Sequence, residues 1–254
     1  MSIYISQLMT DGQLRDLLRK TGAGLELVDP VMGSHLDRLN DTISDLQARL
    51  NAMGNPPVTV HGPYLDLNPA SWDEQIAQVS YTRYEQAYLL AKELGAEKIV
   101  YHSCFVPAIN FLEGWPERAV DFYNRFLSDK DDSIGVVMEN VFDPSPYVLR
   151  EVAQQVDHPA FGLCVDIGHA HCFSSVSVEE WLSVLLPWLR HIHIHDNMGD
   201  RDAHLALGKG SIPFKRIAPL IPSKVTITIE CNTPEDVLTT WKTINNSCGN
   251  SMKK

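Results

Sequence analysis

Six residues able to bind metal recur at or near the ends of short β-rich runs: His61, His102, Glu139, Asp166, His193 and Glu230. One strand-end histidine is most simply a hydrogen-bonded core residue. Six such residues on six successive runs, third to eighth, call for another explanation. Carboxylates gathered in one place repel one another and raise their pKa values unless cations lie between them. Mixed imidazole and carboxylate donors suit divalent zinc, with manganese or iron as alternatives. A second group lies just beyond. Asp166-Ile-Gly-His169 puts a histidine three residues after a strand-end aspartate, and Asp202-Ala-His204 lies in a loop that continues to Leu207-Gly-Lys-Gly210. His169, Asp202 and His204 would supply three ligands to a further ion. His195 is the alternative to His193 as donor from the seventh run. His191 reads as an interior filler, and His35, His158 and His171 as loop histidines.

The elements that must position these residues are legible as alternating runs. Candidate strands are Ile3–Ser6, Gly24–Val28, Val58–His61, Lys98–His102, Gly135–Glu139, Gly162–Asp166, His191–His195 and Val225–Glu230. Most are followed by a helix-period segment. The clearest spans Trp72–Leu94, with Ser71-Trp-Asp-Glu74 as a capping box, Ile76, Val79, Ala87, Leu90, Ala91 and Leu94 on its inner face, and Gly95 as its stop. Ser177-Val-Glu-Glu180 is a second capping box. Thr233 is the N-cap of the last helix and Pro234 its first residue. Regular βα alternation implies a parallel sheet. No GxGxxG turn follows the first strand, as an open dinucleotide-binding sheet would require. The expected fold is therefore α/β, a closed (β/α)8 TIM barrel, whose C-terminal strand ends meet on one face. Residues 1–246 are expected to form one such domain and residues 247–254 a flexible tail.

Composition narrows the function classes. With 44% hydrophobic residues in 254, the chain can build a full core without staples. Its five cysteines are odd in number and include no CxxC pair, which argues for a reducing compartment. The first residues show no basic stretch followed by an apolar run, and no segment approaches membrane-span length, so the expectation is a cytoplasmic protein. A formal net charge of −11 and the lack of a basic stripe disfavour a nucleic-acid partner, although bound metals would add local positive charge outside that count.

At its strand ends the chain resembles the xylose-isomerase-like TIM barrel superfamily, which includes endonuclease IV and many sugar isomerases and epimerases. The residues that carry the likeness are His61-Gly-Pro-Tyr64, Tyr101-His-Ser103, Met138-Glu-Asn140, Val165-Asp-Ile-Gly-His169, His193-Ile-His-Asp196 and Ile229-Glu-Cys231, with Asp202-Ala-His204 and the Leu-Gly-Lys-Gly segment. The resemblance to endonuclease IV implies three zinc ions. His61, His102 and Glu139 would hold the first, and Glu139 would bridge to a second completed by Asp166, His193 and Glu230. His169, Asp202 and His204 would hold the third. The sugar isomerases and epimerases typically use only the set matching Glu139, Asp166, His193 and Glu230. Asp29-Pro-Val-Met-Gly-Ser-His35, after the second strand, lacks the long arginine-bearing loop that the DNA enzyme uses on its duplex.

Two mechanisms follow, both centred on Glu139 and Glu230. In a phosphoester hydrolase, two or three zinc ions clamp phosphoryl oxygens and activate water. In a sugar or sugar-phosphate isomerase or epimerase, one metal polarises a carbonyl and the two glutamates move a proton. The donor count favours the first, and the acidic surface favours a small molecule. A small phosphorylated, sugar-type substrate reconciles them. Tyr64 is a candidate to stack on a substrate ring or equally to pack against the barrel rim. Arg201 and Lys209 are candidates to steady a phosphate, or solvated surface residues. A non-catalytic protein on a decayed barrel would have lost donors, and this chain keeps all nine.

Overall fold

The computed structural model describes residues 1–248. Eight strands alternate with helices: β1 Ile3–Ser6, α1 Asp11–Thr21, β2 Gly24–Leu27, α2 Gly33–Leu36, α3 Leu39–Ala52, β3 Val58–His61, α4 Glu74–Glu93, β4 Lys98–His102, α5 Trp115–Leu127, β5 Gly135–Glu139, α6 Pro146–Gln155, β6 Phe161–Asp166, α7 Ile167–Phe173, α8 Val178–Leu185, β7 Leu189–Ile194, α9 Phe214–Ile217, β8 Thr226–Ile229 and α10 Pro234–Cys248. The strands close into a barrel in sequence order, each parallel to its neighbour, with β8 returning to β1. The expected (β/α)8 barrel is the fold observed.

Side-chain alternation along the strands explains where chemistry sits. Successive residues point to opposite faces of a strand. Outward residues such as Ile5, Leu25, Val60, Ile99, Val136, Leu163, Ile192 and Ile227 join the large core between sheet and helices. Inward residues include a small separate cluster of Val100, Val137 and Cys164. Two residues further along, at the C-terminal strand ends, the same alternation brings His102, Glu139 and Asp166 inward.

The helix signals held in part. Ser177 caps α8, its Oγ accepting from Glu180 N at 3.3 Å, and Thr233 caps α10 through Asp236 N at 3.2 Å. The expected start of α4 does not hold. Asp73 is its N-cap, accepting from Gln75 and Ile76, while Ser71 bonds Asp73 N one turn earlier. Ile76 and Val79, expected inside, are 45% and 56% exposed. The inner face is set instead by Ser80, Tyr84 and Tyr88 with Ala87, Leu90 and Ala91. Apolar periodicity misses these residues because Ser80 is satisfied by bonds to Asn68 N and Ile76 O, and Tyr84 stacks on Tyr101 at 3.8 Å. His35 and His171, expected in loops, lie on α2 and α7. α10 continues through Cys248, past the expected boundary at residue 246, and the remainder of the expected tail lies outside the described residues. Cys104, Cys164, Cys172 and Cys231 are unpaired, and among the described residues no helix is long and apolar enough to cross a membrane.

Candidate metal centre

The C-terminal strand ends converge as expected, and Glu139 stands at the centre. Its Oε2 lies 3.5 Å from His61 Nε2 and 3.6 Å from His102 Nε2. Its Oε1 lies 3.2 Å from His193 Nδ1 and 3.4 Å from His169 Nδ1. Glu230 approaches the same His193 nitrogen from β8, at 3.4 Å. Further out, His169 Nε2 and His204 Nε2 both face Asp202 Oδ2, at 3.4 and 3.1 Å. The nine residues singled out as ligands thus share one cluster at the barrel mouth.

Local structure fixes their directions. His61 Nδ1 donates to Gly62 O, His169 Nδ1 to Asn140 O and His204 Nδ1 to Glu230 O, at 3.0, 3.0 and 2.7 Å. A carbonyl only accepts, so each Nδ1 carries a proton and Nε2 is left as the donor nitrogen, facing Glu139 in His61 and Asp202 in His169 and His204. Asp166 caps α7, its Oδ1 accepting from His169 N at 2.7 Å, which leaves Oδ2 over. Tyr64 stacks on His102, ring centroids 4.0 Å apart and 19° from parallel. Of the two readings of Tyr64, the structure places it against a candidate ligand at the rim.

His195 belongs to the centre together with His193 rather than in place of it. Its Nε2 is 3.2 Å from Asp166 Oδ1 and 3.3 Å from Asp202 Oδ1, and its ring stacks on His204 at 4.2 Å. The glycine of Asp166-Ile-Gly-His169 makes room for it: a Cβ at Gly168 would fall on the His195 ring. Gly168→Ala should therefore cost about 1–3 kcal/mol of stability through overpacking. It should also weaken metal binding at this outer group about tenfold. Denaturant midpoints and zinc titration measure the two effects, and wild-type values for both would show that the ring does not need that space.

Whether these residues fit a cation is tested by their unpartnered atoms. Glu139 Oε1 and Oε2, Asp166 Oδ2, Asp202 Oδ1 and both ring nitrogens of His193 and His195 are buried without an aligned hydrogen-bond partner. Buried polar atoms are rarely left so, since each costs about 1–3 kcal/mol. Here they aim at shared points, as ligand atoms around cations do. Triads with mutually close donor atoms at the mouth are His61–Glu139–His193, Asp166–His193–Glu230, Asp166–His169–His195 and His195–His204–Glu230, with Glu26–His191–His193 a layer deeper. The first and third share no residue. The donor set fits divalent ions.

The charges show how the metal-free cluster is held. Burial works to raise the Glu139 carboxyl, but the imidazoles around it, His193 first and then His169, outweigh it and hold it well below the usual range. Burial likewise opposes the lowering of Asp166 and Asp202, which nearby imidazoles bring about. Glu230 goes the other way, raised chiefly by burial. The expected general rise of crowded carboxylates is thus seen at Glu230 alone of these four, because protonated imidazoles supply positive charge to the rest. Burial pushes His102 down to about 3, so it stands neutral. Against the cost of burial, Asp202 and Glu230 push His204 up to about 9.

The centre opens into a cavity of about 180 Å³, lined also by Ser6, Leu8, Val28 and Tyr64. Arg201 and Lys209 do not line it, as the solvated-surface alternative for both expects. Both are exposed, and Lys209 Nζ pairs with Asp236 at 2.5 Å. The Leu-Gly-Lys-Gly segment instead wraps Asp196, whose carboxylate accepts from Gly208 N, Gly210 N and Ile212 N. Two residues escaped the sequence reading. Ser6, at the end of β1, offers a buried, unpartnered hydroxyl to the cavity. Glu26, inward on β2, is fully buried beneath His193.

The chain matches the protein family described as xylose isomerase-like TIM barrel over residues 16–242. The uncharacterized Methanocaldococcus jannaschii protein MJ1311 is 29% identical over 167 residues, which cover 62% of this chain and 57% of that relative's length. The crystal structure of a D-tagatose 3-epimerase-like protein aligns with a TM-score of 0.82 at 22% identity, over 99% of this chain and 100% of its own. The TTHB071 protein of Thermus thermophilus, soaked with zinc chloride, aligns with a TM-score of 0.77 at 24% identity, over 97% of this chain and 98% of its own. At such identities the structural likeness establishes the fold.

Proposed function

We propose, from the premise that this chain belongs to the xylose isomerase-like TIM barrel family, that it is a multinuclear metal-dependent hydrolase of a small phosphorylated, sugar-type substrate. The observation that carries this reading is the extent of the donor set. His61–Glu139–His193 and Asp166–His169–His195 have no residue in common, so the cluster offers a complete donor triad to each of two ions. The zinc soak of the Thermus relative supports zinc as the first metal to try, with manganese or iron next.

Divalent ions held there supply Lewis-acid stabilisation of charge developing on phosphoryl oxygens and activate water. The protein's own residues do the rest. Glu139 turns one oxygen to His61 and His102 and the other to His193 and His169, so it ties the inner groups together. His102 stays neutral under Tyr64 and is available as a ligand without first losing a proton. Ser6 Oγ is free to bond a substrate hydroxyl. A cavity of about 180 Å³ suits a small molecule; it is smaller than the roughly 300 Å³ at the lower end of drug-sized sites.

A sugar isomerase or epimerase is the second reading, favoured by a separate observation. Glu139 and Glu230 meet at one His193 nitrogen, and their environments push them apart, one held ionised and the other raised. Such a split is how a carboxylate pair divides into base and acid. The D-tagatose 3-epimerase-like structure supports the same alternative.

Metal analysis of purified, zinc-loaded protein separates the two. More than one equivalent per chain is expected. One equivalent, with His61 and His102 free, would overturn the multinuclear reading and put the isomerase first. Assays on small phosphoesters and phosphosugars then identify the substrate. Incision of a labelled abasic duplex should be absent or far weaker, because duplex binding draws its strength from Lys and Arg contacts to phosphates. The chain has 21 Lys and Arg against 32 Asp and Glu. Efficient metal-dependent incision at near-physiological salt would make it a repair endonuclease instead.

A further inference from the structure

Three histidines of the centre have their orientation set by main-chain carbonyls, and His193 does not follow them. Where His61, His169 and His204 leave Nε2 as the donor nitrogen, facing Glu139 or Asp202, His193 turns Nδ1, which faces both Glu139 and Glu230. Its Nε2 points back into the barrel, 3.1 Å from Glu26 Oε1. We propose that Glu26 is the positioning residue of the metal centre: it accepts the Nε2 proton of His193 and so commits Nδ1 to the metal. This rests on the metal-centre reading above.

The surroundings of Glu26 leave it little else to do. Glu26, Thr59, His191, His193 and Thr228 are all fully buried. Thr59 Oγ1 from β3 and Thr228 Oγ1 from β8 donate to Glu26 Oε2, at 3.0 and 2.9 Å. Thr228 spends its one proton on Glu26, so it accepts from His191 Nε2, 2.9 Å away. His191 Nδ1, now without a proton, accepts from Thr226 Oγ1 at 2.5 Å, a shorter contact than the 3.3 Å from that hydroxyl to Arg190 O. Every proton in this chain of bonds is thereby assigned, and all run toward Oε2. Oε1 and His193 Nε2 are left to each other, within hydrogen-bond distance though off ideal alignment, and neither has another hydrogen-bond partner. A buried carboxylate that orders a metal-binding histidine raises its basicity and fixes its ring. Here the ordering group is a side chain, so unlike the three carbonyls it can be replaced.

The test uses the full-length protein labelled with 15N-histidine and loaded with zinc, as wild type, E26Q, E26D, T59V and H193Q, the last to assign the ring. Long-range 1H–15N spectra report which nitrogen of His193 is protonated and which binds metal. The wild type should show protonated Nε2 and metal-bound Nδ1. E26Q should bind zinc about 10–100-fold more weakly, with the His193 pattern altered. E26D should restore the pattern in part. T59V removes one donor to Oε2 and keeps the carboxylate, so it should preserve the wild-type tautomer; this variant and the wild-type spectrum decide the matter if E26Q fails to fold. A wild type that binds zinc through His193 Nε2, or an E26Q protein with wild-type affinity and an unchanged His193 pattern, overturns the role of Glu26 and leaves the metal centre standing. A wild type that takes up no zinc overturns the metal reading itself, and this inference with it.

Discussion

Glu139→Gln should lower turnover on the native substrate by more than about 100-fold, beyond what loss of a supporting residue costs, whereas His204→Ala should cost less. The asymmetry follows from position. Glu139 is fully buried and within 3.6 Å of ring nitrogens from four histidines, His61, His102, His169 and His193. Gln keeps the shape but removes the charge that those imidazoles, or the ions that displace their protons, are arranged around. It also puts an amide NH2, which only donates, where an oxygen faced ligand nitrogens. His204 meets Asp202, the backbone and side chain of Glu230 and the ring of His195, at the partly exposed edge of the cluster away from Glu139. Both readings of the reaction make Glu139 central, in one as a shared ligand and in the other as a proton carrier. Steady-state kinetics with metal content measured in parallel check this. Equal activity of the two variants would show that the centre has been assigned inside out.

Much of this arrangement was legible because one rule governs both fold and site. A parallel barrel strand alternates inward and outward, and a polar residue ending an apolar run at an inward position has no other place to point. His61, His102, Glu139 and Asp166 end their strands as expected. Glu26 was missed for the converse reason: it lies inside Gly24-Leu-Glu-Leu-Val28, one layer deeper, where attention to strand ends does not reach. The signal was an isolated charge at an inward position of a buried strand, which must have a partner across the barrel. His195 could be seen as a candidate donor from its two-residue spacing to His193. Its accommodation by Gly168 depends on the approach of α7 to β7, which no local pattern encodes. Nearness in sequence to Asp202 and His204 left Arg201 and Lys209 between phosphate contact and solvated surface; the Asp196 carboxylate gathers that loop's amides, and Lys209 pairs with Asp236 at the surface.

Chelation should lower the melting temperature by roughly 8–16 °C, and the chelated and loaded proteins should respond to alkali in opposite senses. An ion that binds only the folded chain, present at about 1,000 times its Kd, adds about 4 kcal/mol. Domains approaching this length shift by about 2–4 °C per kcal/mol. The pH response follows from the histidines. In the metal-free protein His61, His169, His193 and His204 are all raised above their ordinary 6.5, against burial, by the carboxylates around them; His204 reaches about 9. A raised folded pKa means that the folded state holds the proton more tightly, so its contribution is complete below pH 6.5 and is lost as pH climbs through the folded value. His102 and His191 are lowered by burial, and their contribution no longer changes above pH 6.5. The chelated protein should therefore lose stability between about pH 6.5 and 9. The loaded protein should hold or gain, because ions and protons compete for the same nitrogens and alkali favours the ions. Thermal melts across that range, with chelator and with excess zinc, read both curves. Parallel curves would mean that protons and metal do not share these sites, and chelation without effect at any pH would mean that the cluster is satisfied by its protons alone.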